Sequence, residues 1–185
     1  MTIRLAAPLQ LDSIVDGEGL RAVIWTQGCP HNCLGCHNPS THDYAGGYVE
    51  KIKNLKDEII NLKDHSGITF SGGDPFEQSE ACYEIALLAH ENNLNVWCYT
   101  GYTFESLLKL SEKNQGIKNF LNEIDVLIDG RFMIEFKSLE ATFRGSTNQR
   151  IIDVPASLKT KKIVLIPKYK LEEKPKETLK SNIYI

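Results

Sequence analysis

Short apolar runs alternate with amphipathic segments along this chain, and that alternation constrains its fold more than any other feature. Runs rich in β-branched and aromatic residues predict buried strands at 22–26, 68–70, 94–99, 124–128 and 162–166. Between them, helical spacing places two apolar sets on single faces, namely Ile52, Leu55, Ile59 and Leu62, and Cys82, Ile85, Ala86 and Ala89. Alternating strands and helices favour a parallel sheet whose functional loops lie at the carboxyl ends of the strands.

The number of such units limits the architecture. Too few are visible for a complete eight-fold barrel, so we expect an α/β fold with an open or partial β/α barrel. The sheet should be mostly parallel, with the helices on its outside, and Thr103 should cap a helix over 103–113. A length of 185 residues fits one domain, which we assign to 1–166. The segment 167–185 is crowded with Lys and Glu and interrupted by Pro175, which indicates a charged extension.

Composition and charge exclude several classes of function. The formal net charge of −3 provides no basic surface for nucleic acid. The amino-terminal segment lacks a long apolar run, so we expect neither a signal peptide nor a membrane span, and a cytoplasmic location. The five cysteines are not the spread, even-numbered set of a secreted disulfide framework.

Three of these cysteines, Cys29, Cys33 and Cys36, lie in a short segment directly after the first predicted strand. One loop could therefore wrap three soft thiolates around an inorganic centre. An iron–sulfur cluster would keep one iron free of protein ligands, whereas a structural zinc site would need a fourth ligand. The candidates for that fourth ligand are His31, His37, His42, Cys82 and Cys98. Spacing alone leaves both alternatives open.

Two further loops carry polar residues after predicted strands. In Ser71-Gly-Gly-Asp-Pro75, the glycines allow close approach of the backbone to a ligand. Asp74 also looks like a helix N-cap, with Glu77 completing a capping box. In Asp129-Gly-Arg-Phe132, Asp129 could orient a polar ligand and Arg131 could pair with a carboxylate, although without further context the pattern favours an Asp-Gly turn with a solvated Arg131.

The remaining cysteines and histidines favour structural roles. Cys82 lies on the apolar face of a helix and Cys98 within a strand, where a free cysteine usually packs as a small hydrophobic residue. The histidines at 31, 42, 65 and 90 are predicted to be loop or surface residues rather than ligands.

The cysteine spacing resembles the signature of the radical S-adenosylmethionine (SAM) superfamily. Further motifs occur in order between Ser13 and Arg150 and resemble the activating proteins of anaerobic ribonucleoside-triphosphate reductases. They are Thr26-Gln-Gly-Cys, Cys-Leu-Gly-Cys-His-Asn-Pro39, Ser-Gly-Gly-Asp-Pro75, Tyr-Thr-Gly-Tyr102, Asp-Gly-Arg-Phe132 and Arg-Gly-Ser-Thr-Asn-Gln149.

This resemblance implies a radical SAM domain over 1–166, with a 4Fe-4S cluster on Cys29, Cys33 and Cys36. It also implies a set of SAM contacts, namely Gly35, Cys36, His37, Gly72, Gly73, Asp74, Asp129 and Arg131. The cluster, reduced by a flavodoxin- or ferredoxin-type donor, would cleave SAM to a 5'-deoxyadenosyl radical, which would generate a glycyl radical on the reductase. The alternatives are an activase of another glycyl-radical enzyme, a small-molecule enzyme such as 7-carboxy-7-deazaguanine synthase, or a zinc-binding interaction module.

Overall fold

The computed structural model describes residues 1–170, which form one mixed sheet with five α-helices. The strands are β1 (Thr2–Leu5), β2 (Gln10–Ser13), β3 (Arg21–Thr26), β4 (Tyr48–Lys51), β5 (Gly67–Gly72), β6 (Asn95–Tyr99), β7 (Val126–Asp129) and β8 (Arg150–Asp153). The helices are α1 (Ile52–Ile60), α2 (Ser79–Glu91), α3 (Phe104–Ser111), α4 (Gln115–Asn122) and α5 (Val154–Thr160). None of the helices within residues 1–170 is long and apolar enough to cross a membrane.

The sheet has a parallel centre and antiparallel edges. Its strand order is β4-β1-β3-β5-β6-β7-β8, with β2 also paired to β3. The neighbours β3, β5, β6 and β7 run parallel, and β1, β2, β4 and β8 are antiparallel to their partners. The sheet remains open between β4 and β8. The predicted parallel centre and open sheet are thus confirmed.

The apolar runs account for the four central strands, whereas the fifth predicted strand is wrong. Residues 162–166 make only an isolated bridge, between Leu165 and Ile152, and the last strand is β8 instead. Strands β1, β2 and β4 were not predicted, because each has only four residues; most side chains of β2 and β4 are also exposed, so they give no regular apolar pattern.

All five helices pack on one face of the sheet, as their apolar spacing predicts. Ile52, Leu55 and Ile59 of α1 are buried there, and so is the predicted face of α2. Cys82 and Cys98 are completely buried in this core, which confirms their packing role, and burial raises the pKa of both thiols. The Thr103 cap is also confirmed, since its hydroxyl accepts the Ser106 N–H at 3.2 Å.

The opposite face of the sheet carries none of the five α-helices of residues 1–170. Along β6, Val96 and Cys98 point to the helices, while Trp97 and Tyr99 point to this second face. Tyr169, within the predicted charged extension, packs there against Trp97 with ring centroids 6.1 Å apart. The extension therefore contacts the sheet at its beginning, and the rest of it lies outside the described residues.

Candidate functional site

The cysteine loop and the double glycine begin at the same level of the sheet. Thr26, the last residue of β3, is paired in register with Gly72, the last residue of β5. Backbone hydrogen bonds join the two loops, from Gly73 N–H to Thr26 O at 2.7 Å and from Asp74 N–H to Gly28 O at 2.9 Å. The carboxyl ends of the parallel strands thus bring the two predicted motifs into contact.

Close backbone approach explains why both residues of this pair are glycine. A Cβ on Gly73 would lie 2.3 Å from the carbonyl oxygen of Gly28, which belongs to the rigid start of the cysteine loop. Gly72 has a φ of +98°, which strains other residues, and its Cβ would meet Thr26 O at 2.5 Å. The double glycine is therefore required for packing the cysteine loop, independently of any ligand.

A pocket of about 150 Å³ lies at this edge of the sheet. Its walls come from the loops after β3, β5, β6 and β7, and they include all three clustered cysteines. The lining residues are Cys29, His31, Cys33, Cys36, His37, Asn38, His42, Ser71, Gly72, Gly73, Tyr99, Thr100, Gly101, Gly130, Phe132 and Gln149. A second cavity of about 550 Å³ shares His37, Ser71, Tyr99, Phe132 and other residues with this pocket. The pocket and the cavity therefore adjoin each other.

The three thiols are partly buried and free. Burial raises the pKa of Cys29 to about 11 and also raises that of Cys33, although the backbone N–H groups of His31 and Phe132 act in the opposite direction. Asn38 N–H donates to the sulfur of Cys36 at 3.4 Å. Metal binding would therefore displace protons, and backbone N–H groups are already directed at the sulfurs.

Soft thiolates fit an iron–sulfur centre, and few residues could complete a zinc site. Cys82 and Cys98 lie in the helix-covered core, and Nε2 of His31 is engaged by Asp74 at 2.6 Å. His37 and His42 line the pocket. The described residues 1–170 contain no group of three or more His, Cys, Asp or Glu side chains placed to hold one metal ion.

Comparisons with known proteins bear on the choice between an iron–sulfur cluster and zinc. Residues 15–152 match the family described as "4Fe-4S single cluster domain". The chain is 34% identical over 147 residues to the "Anaerobic ribonucleoside-triphosphate reductase-activating protein" of Vibrio cholerae, covering 75% of this chain and 90% of that protein. Its identity to the protein of that name from Escherichia coli K12 is 35% over 145 residues, covering 74% and 90%. The enterobacteria phage T4 protein is 32% identical over 145 residues, covering 74% and 86%.

This chain belongs to the family of anaerobic ribonucleoside-triphosphate reductase-activating proteins. The match includes the cysteine loop, the double glycine and the polar loop before β8, so all walls of the pocket lie within the region shared with the family. The resemblance found in the sequence is thereby confirmed, and the 4Fe-4S family description favours iron–sulfur over zinc.

Six of the ten residues predicted for the site line the pocket: Cys29, Cys33, Cys36, His37, Gly72 and Gly73. Gly35, Asp74, Asp129 and Arg131 are outside its lining. Gly35 is exposed and turns the loop with a φ of +75°, where a Cβ would meet Cδ1 of Ile134 at 2.9 Å.

Asp74 is fully buried beneath the pocket and accepts hydrogen bonds from four residues. They are Phe76 N–H at 3.0 Å, the Thr100 hydroxyl at 2.9 Å, Gly101 N–H at 2.9 Å and His31 Nε2 at 2.6 Å. The predicted N-cap is confirmed by the first of these bonds. The carboxylate also ties the cysteine loop to the loop after β6.

The predicted capping box is wrong, because the Glu77 carboxylate instead accepts the hydroxyls of Tyr44 and Tyr102, each at 2.7 Å. His31 lies in a loop as predicted, but it is not a surface residue, since it is only 8% exposed. Its ring packs edge-on against Tyr102, with centroids 4.5 Å apart. Sequence reasoning missed this role, and the only signal was its position between two cluster cysteines.

Asp129 and Arg131 lie in different environments, because the first is buried and the second is exposed. The Asp129 carboxylate is buried, accepts the Phe104 N–H at 2.8 Å and forms an ion pair with Arg150. Arg131 is exposed, and its charge partly opposes the effect of burial, which raises the pKa of Cys33. Phe132 lines the pocket and packs against His37, with ring centroids 4.9 Å apart. The residues of this loop that line the pocket are thus Gly130 and Phe132. Neither was predicted from the sequence as a site residue.

Proposed function

We propose that this chain is a radical SAM activase that generates a glycyl radical on an anaerobic ribonucleoside-triphosphate reductase. The observation that carries the proposal is the pocket that is lined by Cys29, Cys33, Cys36 and the double glycine and adjoins a larger cavity. The open sheet with outer helices is consistent with a partial barrel of the radical SAM type. The reductase as substrate is suggested by the names of the relatives.

In this proposal, Cys29, Cys33 and Cys36 hold a 4Fe-4S cluster. The bound cluster, reduced by a flavodoxin- or ferredoxin-type donor, supplies the electron that cleaves SAM and so yields the hydrogen-abstracting radical. Phe132, His37 and the backbone at Gly72 and Gly73 shape the space in which SAM lies. The free state of all five cysteines agrees with a reducing cytoplasmic location.

A protein substrate is supported by exposed apolar side chains around the cavity. We define the apolar rim as Ile14, Val15, Leu34, Met133, Ile134 and Phe136, all of them exposed. Val15, 70% exposed, lines the larger cavity, and Leu34, 77% exposed, lies between two cluster cysteines. Ile134 touches the cysteine loop at Gly35. Apolar surface concentrated at one place is typical of a protein-binding region.

The test uses the full chain, reconstituted anaerobically with iron and sulfide and then given reductant, SAM and the reductase. We expect SAM cleavage and a glycyl radical signal in electron paramagnetic resonance. Cys36→Ala should lose both, whereas Cys82→Ala should retain both, because Cys82 is buried in the helix-covered core. A fully iron-loaded protein that leaves SAM intact would overturn the proposal. Bound zinc without the brown colour would support the zinc alternative instead.

A further inference from the structure

Arg144 is a cation on the wall of the larger cavity, in a loop to which the proposed function gives no role. The loop lies before β8 and is held in place by Gln149, whose Oε1 accepts the Gly145 N–H at 2.9 Å and whose Nε2 donates to Gly130 O at 2.9 Å. Gln149 lines both the pocket and the cavity, and Arg144 lines the cavity. The guanidinium thus lines the cavity that adjoins the cysteine pocket.

Among residues 1–170, the guanidinium of Arg144 has only carbonyl partners. Nη2 donates to Tyr169 O at 2.7 Å and Nη1 to Gln149 O at a long 3.4 Å. Nε is buried and has no hydrogen-bond partner among residues 1–170. Burial lowers the pKa of Arg144, and no acidic group of the described chain acts against this effect. Several N–H donors therefore remain for a ligand.

Arg150 shows the contrasting arrangement a few residues away. Its guanidinium pairs with both Glu105 and Asp129, and these carboxylates raise its pKa. Asp16, which also lines the cavity, does not pair with Arg144 but accepts the Ser13 hydroxyl at 2.5 Å. A partly buried cation without an anion is costly unless a ligand provides the anion.

Phe143, the residue before Arg144, has a strained backbone and a ring that is held by other aromatic side chains. Phe143 has a φ of +56°, a conformation that is unfavourable for a residue other than glycine. The Phe143 ring is held by edge-on contacts with Trp97 and Tyr169, each with centroids 5.4 Å apart. This aromatic anchor, together with the carbonyl of Tyr169, holds Arg144 at the cavity wall.

We propose that Arg144 binds a carboxylate of the ligand that fills this cavity, an inference that rests on the proposed function. A guanidinium with unused donors binds carboxylates in a two-pronged geometry that lysine cannot reproduce. Two sources present this chemistry in the proposed reaction, namely the methionyl carboxylate of SAM and an acidic side chain of the reductase segment that enters the cavity. The experiment distinguishes them.

The variants are Arg144→Gln and Arg144→Lys in the full, iron-loaded chain. The matched control is Arg4→Gln, because Arg4 also donates to carbonyl groups, those of Ala45 and Gly46, but lies outside both cavities. Three quantities are measured: the dissociation constants of SAM and of decarboxylated SAM by calorimetry, SAM cleavage without reductase, and the KM for the reductase in radical formation. Thermal unfolding confirms that each variant is folded.

If the carboxylate belongs to SAM, Arg144→Gln should weaken SAM binding roughly 10- to 100-fold and leave decarboxylated SAM unaffected. If it belongs to the reductase, SAM binding and cleavage should be unchanged and the KM for the reductase should rise by a similar factor. Arg144→Lys should show the same change in binding or KM as Arg144→Gln, but to a smaller extent. It serves as the test if the glutamine variant does not fold. The inference would be overturned if the variants changed neither SAM binding nor the KM for the reductase. It would also be overturned if they weakened the binding of SAM and of decarboxylated SAM equally. Wild-type protein that binds SAM without cleaving it would contradict the proposed function alone.

Discussion

At the scale of single residues, Asp74 shows how one buried carboxylate can organise a site without lining the pocket. Its oxygens are taken up by donors from the cysteine loop, the loop after β6 and the start of the following helix. Because an unpaired buried polar group is expensive, these donors depend on the carboxylate as much as it depends on them. We therefore assign Asp74 mainly to positioning the cysteine loop, and its predicted contact with the SAM amino group stays a prediction.

We predict that Asp74→Asn lowers the free energy of unfolding by about 1–3 kcal/mol, because an amide group turns one acceptor into a donor facing other donors. The iron content after anaerobic reconstitution should fall as well, because His31 and the cysteine loop lose their anchor. Denaturant unfolding and iron analysis measure the two effects. Asp43→Asn is the control, because Asp43 is exposed and accepts Ala45 N–H on the same loop. Normal stability and iron content with weakened SAM binding would instead favour a direct contact.

At the scale of elements, the sequence is sufficient for those strands and helices whose side chains are buried in a regular pattern. The runs at 22–26, 68–70, 94–99 and 124–128 all correspond to central parallel strands. Edge strands such as β2 and β4 give no such pattern, because most of their side chains are exposed. The apolar run at 162–166 was misleading: it follows α5 and touches β8 by one bridge instead of adding a strand.

The same reasoning explains how much of the site could be predicted. Parallel strands bring their carboxyl ends to one edge, so the meeting of the cysteine loop with Gly72 and Gly73 follows from the order of the elements. Which polar side chains face the pocket depends on partners distant in sequence. Asp129 pairs with Arg150 and Asp74 with His31, and neither pairing leaves a pattern in the sequence.

A second prediction concerns the contact between α2 and the segment that leads into β7. His90, in the last turn of α2, bonds Glu123 and Asp125 at 3.0 Å each. Burial lowers the pKa of His90, but the hydrogen bonds and charges of Asp125 and Glu123 outweigh burial, so the pKa is raised overall. A raised pKa in the folded state means that this contact stabilises fully below the unfolded pKa of about 6.5 and is lost as pH rises through the folded value.

We therefore expect the stability difference between wild type and His90→Gln to be larger at about pH 5.5 than at about pH 8.5. Urea unfolding of both proteins at the two pH values measures this difference. Glu91→Gln, an exposed change on the same turn, should not show the same pH dependence. A difference that is constant with pH, or larger at the higher value, would contradict the assignment of charge to His90.

At the scale of the whole molecule, the two faces of the sheet differ in what covers them. The helix-covered face contains the large apolar core. The pocket lies at the carboxyl edge of the sheet, and the larger cavity with its apolar rim adjoins it away from the helices. Under the proposed function, we expect a reductase segment to reach the cysteines from the rim, since the helices cover the other face of the sheet. Changes on the rim should consequently affect use of the protein substrate without affecting cleavage of SAM.

We predict that Ile134→Ser and Phe136→Ser each raise the KM for the reductase, and that the double variant raises it about tenfold or more. Burial of one large apolar side chain contributes roughly 1.5–3 kcal/mol, and these side chains are about half exposed in the free chain. Glycyl radical yield against reductase concentration gives the KM, and SAM cleavage without reductase should equal that of wild type. Ile60→Ser is the matched control, because Ile60 is 53% exposed but lies on α1, on the helix-covered side. Equal KM values for the rim variants and this control would show that the reductase does not bind at the rim.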